Sequence, residues 1–345
     1  MKLAVVLYNL GGPDSPDAIE PFLTNLFSDP AIISLPGFLR RPLARFIAKR
    51  RTPIAREIYA KLGGRSPILE ETQAQANALE RALAERGHDA RAFIAMRCWK
   101  PFTDEAARDI AAWTPEHVVR LPLYPQFSTT TTGSSEAAWI EASAAAGIAA
   151  AQSRVCCYPW ADGFIAAVAS LIREGYAKAK PGLSYRLLLS AHGLPERTVA
   201  RGDPYRWQVE RTAAAIVAAL GVPDLDWSIC YQSRVGSLKW IGPATEAEIR
   251  RAGAEGKALI VAPIAFVSEH SETLVELDIE YQKLARESGV RDYLRVPTVR
   301  TRPEFIEALA DLVERSMQTP GAATCAEGRI CPRDFGRCGY SEGTS

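Results

Sequence analysis

Short Val-, Ile- and Leu-rich runs alternate along this chain with Ala-rich stretches of helical periodicity, and no other feature restricts the fold as strongly. A strand that is apolar along its whole length needs cover on both faces, and a parallel sheet wrapped by helices supplies it. Strands are expected at Leu3–Leu7, Ala92–Met96, Val118–Leu123, Arg186–Leu189, Trp227–Cys230, Leu259–Ile264 and Tyr293–Val296. Helices are expected at Gln73–Arg86, Glu136–Ala145, Phe164–Ala177, Trp207–Leu220 and Glu272–Glu287. The two halves also rhyme. LAVVLYNLGGP near the start parallels YRLLLSAHGLP at Tyr185–Pro195, and HVVRLPLYPQFST parallels KALIVAPIAFVSE. Although parallel strands share a common look, a repeat in this order predicts an α/β protein of two similar doubly wound units. The 345 residues suffice for both. The expected division is 1–155 for the first domain, 156–320 for the second, and 321–345 for a Cys-containing tail.

Charge and motif content narrow the function. The 41 basic and 40 acidic residues leave a formal charge of +1, so no global field draws the chain to nucleic acid, and a charged site has to be local. No GxGxxG follows the first strand and no GxxxxGK[ST] occurs, which disfavours a dinucleotide or nucleoside-triphosphate enzyme. The apolar run in MKLAVVLYNLGGP is too short for a signal peptide or a membrane span. A cytoplasmic protein is therefore expected, at most peripheral on the inner membrane face. Seven cysteines without a signal peptide argue against a disulfide framework. Cys98 and Cys230 read as buried small hydrophobes.

In doubly wound sheets ligands bind beyond the carboxyl ends of the strands. Here those ends read NLGGP, MRCWKP, YPQFSTTTTGSS, SAHGLP, CYQSRVG and FVSEHSE, which are dense in polar, aromatic and glycine residues. After the last, Glu269, Glu272, Glu276 and Glu280 are spaced by three, four and four residues, one stripe on an α-helix, while Leu274, Leu277 and Tyr281 mark an inward face. Such like charges repel by about a few tenths of a kcal/mol per exposed pair, and by more when buried. The plain reading is a solvated helix face. Against it, the stripe begins at the ligand-binding edge, and Lys283 and Arg286 can relieve only its distal end. Among the histidines, His88 and His117 read as structural or solvent-facing. His192 closes a strand and His270 opens the acidic helix, so each can reach one site. A neutral imidazole there can bind a borderline metal or take a proton near pH 7, and the sequence leaves the two roles open.

SAHGLPERTVARGDPY, FVSEHSETLVELDIEY, LYPQFSTTTTGSS, RRTP with GGRSPI, and NLGGPDSPD resemble, in matching order, the signature segments of ferrochelatase. The resemblance covers roughly residues 3–315. It implies two Rossmann-like domains (the chelatase fold) and insertion of Fe²⁺, as substrate, into protoporphyrin IX to form protoheme, the terminal step of heme biosynthesis. By the same resemblance His192 and Glu272 are the metal-site pair, with His192 also proposed to take pyrrole protons. His270 is a hydrogen-bonded active-site histidine, and Glu276 and Glu280 continue the acidic path. Leu10, Arg97, Tyr124, Trp240 and Phe266 match positions that line the macrocycle, and Arg51, Tyr59 and Ser66 match propionate partners. Cys98 departs from the family, some of whose members carry an aromatic residue there. Two rival functions stay open: a related chelatase acting on coproporphyrin or another divalent metal, and a non-catalytic tetrapyrrole- or iron-binding protein.

Two further segments carry expectations. Residues 21–53 mix Phe, Leu and Ile with Arg40, Arg41, Arg45, Lys49, Arg50 and Arg51. They read either as a packed helix or as an apolar porphyrin lip whose basic rim meets an anionic membrane. The tail places Cys325, Cys331 and Cys338 on a Gly/Arg-rich stretch. Some ferrochelatases hold a [2Fe-2S] cluster on three tail cysteines and one from the body. Where animal members have the body ligand this chain has apolar residues such as Ala167, so Cys156 or Cys157 would stand in. Zinc is the rival occupant, since four thiolates suit it equally. Either a monomer or a homodimer fits the chain.

Overall fold

The N-terminal Val-rich run is a strand buried along nearly its whole length, Lys2–Asn9 (β1), at the heart of the first of two units. A computed structural model describes residues 1–340 except Val235, Ser237 and Pro320. One unit comprises Met1–Cys157, Leu309–Ile330 and the stretch from Gly339; the other comprises Tyr158–Ala308 and Cys331–Cys338. The chain thus returns to its first unit at Leu309, a return that a linear division cannot show.

The first unit runs β1, α1 (Ile19–Ser28), α2 (Gly37–Ala60), α3 (Ile68–Glu85), β2 (Asp89–Met96), α4 (Thr103–Trp113), β3 (His117–Pro122), α5 (Thr132–Ala145) and β4 (Ala151–Cys157). The second continues with α6 (Asp162–Tyr176), β5 (Tyr185–His192), α7 (Glu196–Ala200), α8 (Tyr205–Leu220), β6 (Trp227–Gln232), α9 (Thr245–Ala254) and β7 (Ala258–Pro263). A π-helix (Glu272–Glu280), α10 (Tyr281–Glu287) and β8 (Tyr293–Arg295) follow, then α11 (Pro303–Gln318) and, back in the first unit, β9 (Ala322–Thr324).

Among the described residues the first unit's sheet has the order β2-β1-β3-β4-β9 and the second's β6-β5-β7-β8, with every pair parallel. Both units therefore place their strands in the same local order, as expected from the internal rhyme: β1 corresponds to β5 and β3 to β7. The strand order reverses between β1 and β3, and again between β5 and β7. The crevice at such a reversal is where doubly wound sheets bind ligands. Separate cores form around Tyr8, Phe93, Ile110 and Trp139 in the first unit and around Leu188, Val261, Leu277 and Tyr281 in the second. Cys98 and Cys230 belong to such interiors, and burial pushes both thiols up to about 12.

The expected helix over Glu272–Glu287 is two helices of different pitch. The Tyr281 N–H bonds to the Glu276 carbonyl five residues back, the π pattern, and ordinary α-helix begins only at Tyr281. Glu269 lies ahead of the helix and turns to Arg295, so the four carboxylates do not form one stripe. Among the described residues, no helix is long and apolar enough to cross a membrane.

Candidate active site

His192 is the last residue of β5, paired with Gln232 of β6. Its carbonyl accepts from the Tyr205 hydroxyl at 3.0 Å, and the next N–H, of Gly193, donates to the Gln232 carbonyl at 2.9 Å. Glycine at 193 permits a close approach that any larger residue would tighten. A Cβ there would meet the Gln232 carbonyl oxygen at 3.0 Å, Arg234 Cγ at 3.2 Å and the Trp240 ring at 3.3 Å.

From the next strand, the loop after β7 delivers Phe266 and His270, and the π-helix delivers Glu272 and Glu276. His192 Nδ1 lies 2.8 Å from Glu272 Oε2, and His270 Nε2 lies 3.8 Å from the same oxygen, an electrostatic contact rather than a hydrogen bond. His270 Nδ1 is 3.1 Å from the Ser268 carbonyl, which accepts only, so that nitrogen carries the proton. The Phe266 ring meets His270 edge-on at 4.6 Å between centroids and stands 6.4 Å from His192. Two histidines thus converge on one carboxylate beside an aromatic ring.

Glu276 sits in a cage of donors. Its Oε1 accepts the Ser233 N–H at 2.8 Å and the Tyr281 hydroxyl at 2.7 Å; its Oε2 accepts the Ser233 hydroxyl at 2.6 Å and Gln232 Nε2 at 3.2 Å. Gln232 Nε2 also donates to the Glu272 carbonyl at 2.9 Å, and the Ser190 hydroxyl fixes that amide by donating to Gln232 Oε1 at 2.8 Å. Ser233 adopts φ 60°, an uncommon conformation for a residue with a Cβ and one that recurs at functional sites.

These contacts sort the proton affinities. Burial disfavours charge on His192, but the Glu272 carboxylate, its hydrogen bond and the charge of Glu276 outweigh that and raise the imidazole pKa. Burial works against the Glu272 anion, yet His192 and then His270 hold it well below the usual carboxylate range. Glu276 shifts the other way, since burial and the negative charge of Glu272 raise it against the pull of Ser233 and Tyr281. Two neighbouring carboxylates pushed apart in this way give one permanent anion and one group able to carry a proton. Glu280, at the far end of the π-helix, is exposed.

The other expected residues lie in one unit or the other. In the second, Trp240 bridges to Pro195 beside Gly193. In the first, Leu10 and Tyr59 join one apolar cluster with Cys98, and Arg51 lies half-buried on α2. Ser66 packs against Gly12, where a Cβ would come within 2.6 Å of it. Arg97 is already engaged: its Nε meets Ser134 Oγ at 2.7 Å and Asp29 Oδ2 at 3.1 Å. Tyr124 packs on the core, its hydroxyl pKa raised by burial. Cys156 and Cys157 end β4, and Cys157 pairs with Thr324, the residue before Cys325. Cys331 Sγ accepts from Gln208 Nε2 at 3.1 Å. Among the described residues, no three His, Cys, Asp or Glu side chains are gathered as a ready metal cage.

Gln232, Ser233, Tyr205 and Tyr281 are the hydrogen-bonding neighbours of His192, Glu272 and Glu276 that sequence reasoning did not assign. The segment CYQSRVG carried a signal, as a polar strand end beside the histidine strand. Tyr281 was legible only as a packing residue.

Two parallel doubly wound sheets, with His192 and Glu272 paired at a strand-order reversal, make a chelatase-like architecture. SirB from Bacillus subtilis with Fe³⁺ shares it, with a TM-score of 0.53 at 14% identity over 92% of this chain and 96% of that one. The cobalt complex of the sirohydrochlorin chelatase SirB from Bacillus subtilis subspecies spizizenii gives 0.53 at 13% identity, over 93% and 97%. The ferrochelatase family profile matches residues 2–317. The ferrochelatase of Caulobacter vibrioides is 56% identical over 100% of this chain and 99% of its own, and that of Pelagibacter ubique 46% over 98% of each. The chain belongs to the ferrochelatase family.

Proposed function

We propose that this chain inserts Fe²⁺ into protoporphyrin IX to give protoheme, as a lyase of heme biosynthesis. The observation that carries the mechanism is the 2.8 Å contact of His192 Nδ1 with a strongly acidic Glu272. With Nδ1–H donated to that carboxylate, a neutral His192 keeps its lone pair on Nε2, where it can take a proton or bind a borderline metal. Insertion releases two pyrrole protons for each iron. Glu272 supplies a fixed anion that attracts the dication, while His192 and Glu276 differ in proton affinity and can accept protons in turn. The absence of thiolate from this pair suits a metal that must be released to the macrocycle. Phe266 and Trp240 are the proposed macrocycle contacts in the second unit; Leu10, Arg97 and Tyr124 are those in the first. Arg51, Tyr59 and Ser66 are assigned to the propionates, and Glu280 to the outer end of the acidic path. Turnover with Fe²⁺ and protoporphyrin measured against coproporphyrin tests the assignment, which fails if only coproporphyrin is metallated.

The segment 21–53 is proposed as a lip that meets anionic membrane reversibly. Ala44, Ala48 and Thr52, four residues apart, form the buried stripe of α2. Phe38 at 77% exposure, Phe46 at 58% and Leu39 at 51% point outward, among the exposed Arg41, Arg45, Lys49 and Arg50. A soluble helix normally hides such residues, and an apolar face with basic flanks suits the headgroup region.

The tail is proposed to hold a [2Fe-2S] cluster on Cys325, Cys331, Cys338 and either Cys156 or Cys157. The register that sets Cys157 opposite Thr324 supports this, as does the amide N–H at the Cys331 sulfur, since such hydrogen bonds tune clusters. The cluster would supply one-electron redox chemistry, and no step of insertion above uses it.

A further inference from the structure

The π-helix is held from one side by the edge strand of its own sheet. β8 pairs with β7 at Leu259↔Tyr293 and Val261↔Arg295, so Tyr293 and Arg295 share one face of the strand. The Tyr293 hydroxyl donates to the Leu277 carbonyl, in mid π-helix, at 2.8 Å. Arg295 grips both oxygens of Asp278, Nε at 2.7 Å and Nη2 at 2.5 Å, while its Nη1 donates to Glu269 Oε1 at 2.6 Å. Glu269 Oε1 also accepts the Thr298 N–H at 3.0 Å. One planar guanidinium therefore ties the loop ahead of the π-helix to its middle, a task its rigid fork of donors suits. The Arg295 side chain is only 11% exposed and that of Glu269 9%.

A π-helix is rare and persists only where its surroundings impose it. An α-helix turns about 18° further per residue, so over four residues relaxation would swing Glu276 by roughly 70° relative to Glu272, away from its donors on Gln232 and Ser233. We propose that Tyr293 and Arg295 are positioning residues that hold Glu272–Glu280 in the π form and so keep Glu272 on His192 and Glu276 on Ser233 at the same time. Neither touches the reacting atoms, and the proposal rests on the reading that these carboxylates serve iron insertion.

The test uses Asp278→Asn, Tyr293→Phe and Arg295→Lys in the full chain, reading amide hydrogen exchange together with insertion kinetics. In Asp278→Asn, exchange over Val275–Tyr281 should quicken by about tenfold or more while β5 and β7 stay protected. The kcat for insertion should fall, with the porphyrin KM held within about twofold. Tyr293→Phe should show a smaller change in the same place. Should Arg295→Lys fail to fold because Glu269 is left poorly paired, the two milder variants decide. Unchanged exchange over Val275–Tyr281 in both overturns the clamp, and faster exchange with unchanged insertion overturns its positioning role. Full insertion by Glu272→Gln would instead indict the iron-site reading, with the exchange result still judging the clamp.

Discussion

Replacing Glu272 by Gln removes a charge at nearly constant shape, and the consequence for His192 can be worked from the contact. Two unit charges about 4 Å apart attract by about 4 kcal/mol at an effective dielectric near 20. The imidazole is 37% exposed and the carboxylate 27%, so water screens much of this. Retaining about a third leaves roughly 1.4 kcal/mol. Because the His192 pKa is raised in the folded protein, its pairing stabilises the fold at low pH and is lost as pH rises through that raised value. Glu272, being depressed, contributes above its unfolded pKa and loses its contribution as pH falls through the depressed one. Both are satisfied between the depressed carboxylate and the raised imidazole, so the variant should lose stability in that window. An NMR titration of the His192 ring should show its pKa falling in Glu272→Gln, because the carboxylate that raises it is gone, with insertion slowed about 100-fold or more. An unmoved titration would refute the ion pair.

Glu280→Gln should cost less than about tenfold in insertion, being exposed at the far end of the π-helix; a loss equal to that of Glu272→Gln would mean that passage along the acidic path limits the rate. The protein should co-sediment with anionic but not neutral vesicles, less so as salt rises, and Phe38→Ser with Phe46→Ser should abolish this. Indifference to both lipids at any salt would leave α2 as a packed helix alone. Protein purified without oxygen should be reddish and give a paramagnetic signal on one-electron reduction, lost in Cys331→Ser. A colourless preparation with stoichiometric zinc and no acid-labile sulfide would refute the cluster.

How much of this was legible in the chain depended on the range of the interactions involved. β1, β3, β5 and β7 are buried on both faces, so their apolar runs announced them, and their repeat announced the shared strand order. β4 began on exposed Ala151 and Gln152, and β9 spans only Ala322–Thr324; neither has a strand's signature. His192, His270 and Glu272 were readable because each sits at a strand end or helix start, where topology alone brings side chains together. The π-helix was not, since carboxylates four residues apart look alike on either kind of helix. Its cause lies in the long-range contacts of Leu277 with Tyr293 and of Asp278 with Arg295, which no local pattern encodes. Ser233 was hidden for a similar reason, because serine gives no warning of a φ of 60°.

The most direct test of the account is a single-turnover measurement of Fe²⁺ insertion into protoporphyrin by the intact chain and by His192→Ala, alongside a thermal melt of each. His192 ends a strand held by Tyr205 and Gln232 through the backbone, so losing its side chain should cost the fold little beyond the Glu272 pair. Protoheme should form with the intact chain and not above background with the variant, whose melting temperature should fall by no more than the loss of the Glu272 pair, about 2 kcal/mol or less. Near-normal insertion by a folded His192→Ala would contradict the central claim that the His192–Glu272 pair carries the chemistry.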